Sequence, residues 1–261
     1  MLSTSVSYRL LAADMTRSLE RVASAPQAQR ETAYYLENIE KVKSIDDFMA
    51  DDRLYRYAMK AFGLSDMTYA KAFMRKALEE GIEESRSFAN SLSDSRYREF
   101  VETFNFVRHG EGTTIFGRTQ QGTVDRYNRQ NLEEDAGAQN EGVRLALYFQ
   151  RKAATIENPL EILADPALLK VVQTALRIPV ETGMQDIDRQ AALIASKLDI
   201  ADLQDPERVE EILTRFTSLW DLGNPASGAT SPALALYSRP LEAGIGANLL
   251  LSLQNLKLGG S

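Results

Sequence analysis

The chain has 261 residues, a hydrophobic share of 44%, a charged share of 26% and a formal net charge of −7, with an isoelectric point near 5.0. That composition suits a soluble globular protein with a sizeable core, and an acidic balance without any Lys/Arg run excludes a phosphate-binding nucleic-acid surface. Cysteine is absent, which excludes disulfides, thiol catalysis and cysteine metal sites, and no stretch reaches the roughly 20 apolar residues of a membrane helix.

At the N-terminus Arg9 interrupts a short apolar run and no small-residue cleavage site follows, so the segment does not read as a Sec signal peptide. Residues 6–24 predict an amphipathic helix with Tyr8, Leu11, Met15, Leu19 and Val22 on one face. Pro26 interrupts, and residues 29–43 predict a second helix that runs into Ser44. The third covers 45–64 and is closed by Gly63, with Leu54, Tyr57, Ala58, Ala61 and Phe62 at i, i+3, i+4, i+7 and i+8. A fourth helix is expected over about 67–90. The fifth opens at Ser93 and buries Tyr97, Phe100, Val101 and Phe104. The stretch 106–122 is rich in Gly and Thr and lacks helical period, which predicts a linker or exposed loop with a short extended piece at 113–116.

After that loop the pattern returns. Residues 159–178 repeat the third helix at an offset of 114, with Leu168, Val171, Val172, Ala175 and Leu176 in register and Ala50-Asp51 matched by Ala164-Asp165. Both copies begin alike: Ser44 with Asp47, and Asn158 with Glu161, place an N-cap oxygen and an acidic N3 side chain on the first turn, and Pro159 takes N1. Leu132-Glu133 answers Leu19-Glu20, Tyr148-Phe149 answers Tyr34-Tyr35, and the Asp205-Pro206 start with Val209, Ile212, Leu213 and Phe216 answers the fifth helix, Arg208 matching Arg96. Amphipathic spacing recurs in any pair of helices, but here several match in one order at nearly one offset. The expected fold is all-α, with about ten helices in two tandem pseudo-repeat bundles. The first repeat takes 1–106, the linker 107–122 and the second repeat 123–220. Residues 221–261 read as a flexible C-terminal arm: they hold four charged residues in 41 and end on Leu249, Leu253 and Leu256 at i, i+4, i+7. These three leucines are the candidate partner-binding residues, against a groove of this chain or of a partner.

Candidate chemistry is thin. The string 106–112 is similar to the R-H-G-E sequence of histidine phosphatases, where a nucleophilic His is phosphorylated. His109 is the chain's single histidine, however, and it follows a helical pattern where that family has a strand. Acidic pairs such as Asp46-Asp47, Asp51-Asp52, Glu79-Glu80 and Glu83-Glu84 read as solvated helix faces or first-turn acids. No catalytic residue, metal site or cofactor is expected.

The blocks 34–64, 69–81, 87–106 and 140–153 resemble those of a bacterial family, the domain of unknown function numbered 1217, found chiefly in alphaproteobacteria and often encoded among flagellar genes. The resemblance covers most of 6–220 and carries no catalytic residue onto this chain. It implies a non-enzymatic structural or assembly protein of the flagellum, acting through protein–protein contacts with a flagellar component or another copy of itself, without membrane insertion. Two alternatives stand beside it: a cytoplasmic helical chaperone or regulator of a flagellar component, and a histidine-phosphatase-like enzyme using His109. The protein is expected in the cytoplasm, or exported to the flagellum without a cleaved signal.

Overall fold

In a computed structural model, residues 2–224 are described, and every regular element among them is helical. The N-terminal stretch is two helices, not the one expected over 6–24. α1 (Thr4–Ala13) and α2 (Met15–Ala23) break at Asp14, whose carboxylate accepts the Arg17 N–H at 3.0 Å and caps α2. α3 (Pro26–Ile39) begins with proline at N1, where a missing N–H costs nothing.

The repeated stretch also divides. α4 (Ile45–Ala50) and α5 (Asp52–Ala61) meet at Asp51, and in the second unit α12 (Pro159–Ala164) and α13 (Pro166–Leu176) meet at Asp165. The identical Ala-Asp pair marks the break. Each aspartate takes an extended conformation and its Oδ1 caps the following helix, Asp51 from Leu54 N at 2.9 Å and Asp165 from Ala167 N at 2.8 Å. Its Oδ2 accepts a tyrosine hydroxyl from the helix before the divided pair: Tyr34 of α3 at 2.8 Å in the first unit and Tyr148, in the helix Glu141–Lys152, at 2.6 Å in the second. The expected caps are present as well. Ser44 accepts Asp47 N while Asp47 accepts Lys43 N, and Asn158 accepts Glu161 N while Glu161 accepts Glu157 N. Asp51→Ala and Asp165→Ala should each lower stability by about 1–2 kcal/mol, the loss of an N-cap with its tyrosine contact. In thermal melts Asp52→Ala should leave the midpoint in place. A loss below about 0.5 kcal/mol at Asp51 would mean that packing alone sets the break.

α6 (Lys71–Glu80) stops ten residues short of the expected end because Gly81 takes φ +65, and a Cβ there would also meet the Val107 side chain at 3.3 Å. α7 (Phe88–Ser91), α8 (Ser95–Thr103) and α9 (Phe106–His109) follow. The expected linker is exposed along much of its length but anchored by buried threonines. A 3-10 turn over Gly110–Ile115 replaces the extended piece, and Thr113, Thr114 and Thr119 are buried. Threonine hydroxyls satisfy the backbone there: Thr113 donates to Gly110 O, Thr114 to Val42 O and Thr119 to Thr113 O. A Thr-rich, aperiodic string is thus a packed turn, because each hydroxyl takes over a carbonyl that helix geometry would have paired.

α10 (Gln121–Gln139), α11 (Glu141–Lys152), α14 (Ile187–Ala195) and α15 (Pro206–Gly223, capped by Asp205) complete the second unit. The ten helices expected are therefore cut into shorter segments. Two apolar cores form, and they exchange elements. The first holds residues from Ala28 to Phe106 together with Val124 and Tyr127. The second holds residues from Leu132 to Trp220 together with Tyr8 and Val22. α10, about 28 Å long at 1.5 Å per residue, reaches both cores. A stack of Tyr35, Tyr57 and Tyr127, with ring centroids 4.4 and 4.0 Å apart, ties α3, α5 and α10 together. Lys60–Glu134 at 2.9 Å near the surface, and the pair of the buried Lys152 with Glu99, link the units. Arg96 pairs with Asp94 and donates to Gly63 O, whereas Arg208 pairs with Glu211 in the open, so those matched arginines do different things.

Candidate interaction surface

The two ends of the described chain meet on one face. α1 lies against α15 with its first turn beside the last turn of α15. Thr4 N–H donates to the Asp221 carboxylate at 3.1 Å, the Thr4 hydroxyl also donates to Asp221, and Asn140 Nδ2 donates to the Thr4 hydroxyl at 2.9 Å. Further along, the Tyr8 hydroxyl donates to Glu210 at 2.9 Å; burial and that carboxylate push the phenol well above its ordinary pKa. α11 starts beneath the same junction. A Cβ on Gly142 would come within 2.5 Å of the Trp220 indole and 2.8 Å of the Thr4 methyl, so only glycine lets the three helices approach this closely.

This junction fixes what α1 shows to solvent. Thr4, Tyr8, Leu11, Met15, Leu19 and Val22 turn into or against the second core, so the stripe expected from the sequence is spent on packing. The opposite side presents Val6 and Leu10, exposed by 45% and 62%, and Leu2, 57% exposed, stands just before the Ser3 cap. Their i, i+4, i+8 spacing was visible in the sequence, but the longer core stripe shares the helix and masks it. A second exposed apolar set, Val180, Met184 and Ile187, lies on the 3-10 turn Val180–Met184 and the start of α14.

Beside α15, on the α13 side, runs a groove of about 510 Å³ floored by Ala175, Leu176, Leu219 and Leu222, with Arg177 and Arg215 on its rim. It forms because α13 ends in a left-handed turn at Arg177 (φ 53), while α15 continues to Gly223. The candidate residues Leu249, Leu253 and Leu256 lie outside the described residues, as does the arm from 225 on.

His109 sits at the end of α9, its ring edge-on to Phe116 at a centroid distance of 4.9 Å. Burial, then Arg118 and Arg108, hold its pKa below the ordinary imidazole value. The string that resembles the phosphatase motif thus ends a helix. Among the described residues no three His, Asp or Glu side chains converge as a metal site, and no helix is long and apolar enough to cross a membrane.

The family model described as "Protein of unknown function (DUF1217)" matches residues 61–209. The chain belongs to this family. The DUF1217 match opens at the end of α5 and closes in α15, so it takes in most of both cores and leaves out α1 to α4. The crystal structure of an Agrobacterium tumefaciens protein is similar over 86% of this chain and 98% of that one, at 50% identity and a TM-score of 0.80. No curated protein matches the sequence.

Proposed function

We propose that this DUF1217 protein is a non-enzymatic structural or assembly factor of the bacterial flagellum, working through protein–protein contacts. The flagellar setting is the one implied by the family blocks at 34–106 and 140–153. The contact mode rests on the outer face of α1. Val6 and Leu10 form an apolar edge on a helix whose other side is locked by the Thr4–Asp221–Asn140 bonds, and Leu2 stands exposed just before its N-cap. Such an edge is presented rigidly, and covering the exposed half of each side chain is worth on the order of 1 kcal/mol. A helical partner with an apolar groove, or another copy of this chain, supplies the cover.

The test is genetic. A flagellated strain lacking the gene should lose swimming, and the wild-type gene should restore it. Val6→Asp/Leu10→Asp should fail to restore swimming although the purified variant melts like the wild type, because both side chains already lie in water. Swimming in the deletion strain, or full rescue by the double variant, would defeat the proposal. A pool found with the filament would mark a structural part, and a purely cytosolic pool a chaperone.

A further inference from the structure

The groove between α13 and α15 is concave, apolar and at the point where the described chain ends. Leu222, which lines it, stands two residues before Asn224, the last described residue. The rim is basic on both sides, Arg177 on α13 and Arg215 on α15. Its natural occupant is a segment with an apolar face and no cationic side chain. This chain carries one: residues 243–256 hold no charge, and Leu249, Leu253 and Leu256 recur at i, i+4, i+7.

We propose that this groove is the seat of the chain's own segment 249–256, with the three leucines against Ala175, Leu176, Leu219 and Leu222. Reach is ample. The 24 residues 225–248 span at most about 80 Å when extended, and the groove begins at their starting point. A connection of this kind holds the leucines at an effective concentration of about millimolar, so a weak seat is enough to fill the groove. The seat goes beyond the α1 contact reading above and does not rest on it.

The absence of cysteine makes cross-linking a clean test. Leu176→Cys/Leu253→Cys in the full chain should form an intramolecular disulfide under mild oxidation at least tenfold faster than Leu2→Cys/Leu253→Cys. Leu2 is the right control because the Thr4–Asp221 contact puts it equally near the chain's exit from α15. Adding Leu249→Asp and Leu256→Asp should bring the Leu176 pair down to the control rate. Equal rates for the two pairs, insensitivity to the aspartates, or a disulfide formed only between two chains would overturn the cis seat. The measurement uses purified protein, so its failure leaves the swimming test untouched, and failure of the swimming test leaves the seat standing.

Discussion

Glu133→Ala should cost about 3–5 kcal/mol, the usual result of removing one partner from a buried ion cluster. Glu133 lies in α10, only 2% exposed, and both its oxygens are taken by Arg151 of α11, at 2.7 Å from Nε and 2.8 Å from Nη2. Arg129, one turn earlier on α10, adds a third contact at 3.3 Å and sends its Nη2 to Leu147 O at 3.1 Å. Burial pushes the Arg151 guanidinium down, and the Glu133 carboxylate outweighs it, so its pKa lies above the ordinary value. At Arg129 burial wins, with Arg151 adding to it, and the pKa lies below. Without Glu133 two guanidinium groups face each other between α10 and α11 with no anion between them. The melting temperature should fall by about 10 °C, given roughly 2–4 °C per kcal/mol for a chain of this size. Glu211→Ala, which removes the exposed partner of Arg208, should leave the melt unchanged. Equal melts for the two variants would show that the Glu133 cluster contributes no more than a surface pair.

Glu133 also shows where the sequence stops being readable. Its repeat counterpart Glu20 is exposed, and nothing in the string Leu132-Glu133 distinguishes a buried acid from a solvated one. The apolar stripes were legible because helical period is a local property. Leu54, Tyr57, Ala58, Val171 and Val172 are buried as their spacing predicts. The duplicated caps were legible for the same reason, being set within four residues. The breaks at Asp51 and Asp165 were not, although the repeat pointed at them: the matched pairs Tyr34/Asp51 and Tyr148/Asp165 both stand 17 apart, and only the fold shows them bonded. The exchange of elements between cores, the Thr-lined turn and the α13/α15 groove all depend on residues far apart in the chain. Periodicity has no access to such contacts. The α1 apolar side chains and the α13/α15 groove were not legible, since both depend on how α15 packs; Leu249, Leu253 and Leu256, named from the sequence, lie outside the described residues.

Alkaline solution should unfold the protein cooperatively one to two pH units above pH 10. Burial pushes Tyr8, Tyr35, Tyr57 and Tyr148 well above the ordinary phenol value, and Glu210 and Asp165 add to it at Tyr8 and Tyr148 through their hydrogen bonds and charge; Tyr55 is pushed up to about 12. The sign follows from proton counts. Between the unfolded value near 10 and the raised folded values, the unfolded chain gives up its phenolic protons and the native one keeps them. The contribution is whole below pH 10 and is lost as pH rises through that window. Each such tyrosine removes about 1.4 kcal/mol per pH unit, so the first four together remove about 5 kcal/mol per unit. Set against a total stability of about 5–15 kcal/mol, that is enough to unfold both cores, since Tyr35 and Tyr57 belong to the first and Tyr8 to the second. Tyrosinate absorbance and helical circular dichroism followed together should show a steep joint transition, and Tyr148→Phe should reduce its steepness by about one proton. Gradual ionisation centred near pH 10 with the helices intact would mean that these phenols are open to solvent and that the tyrosine stack is not the joint between the two units.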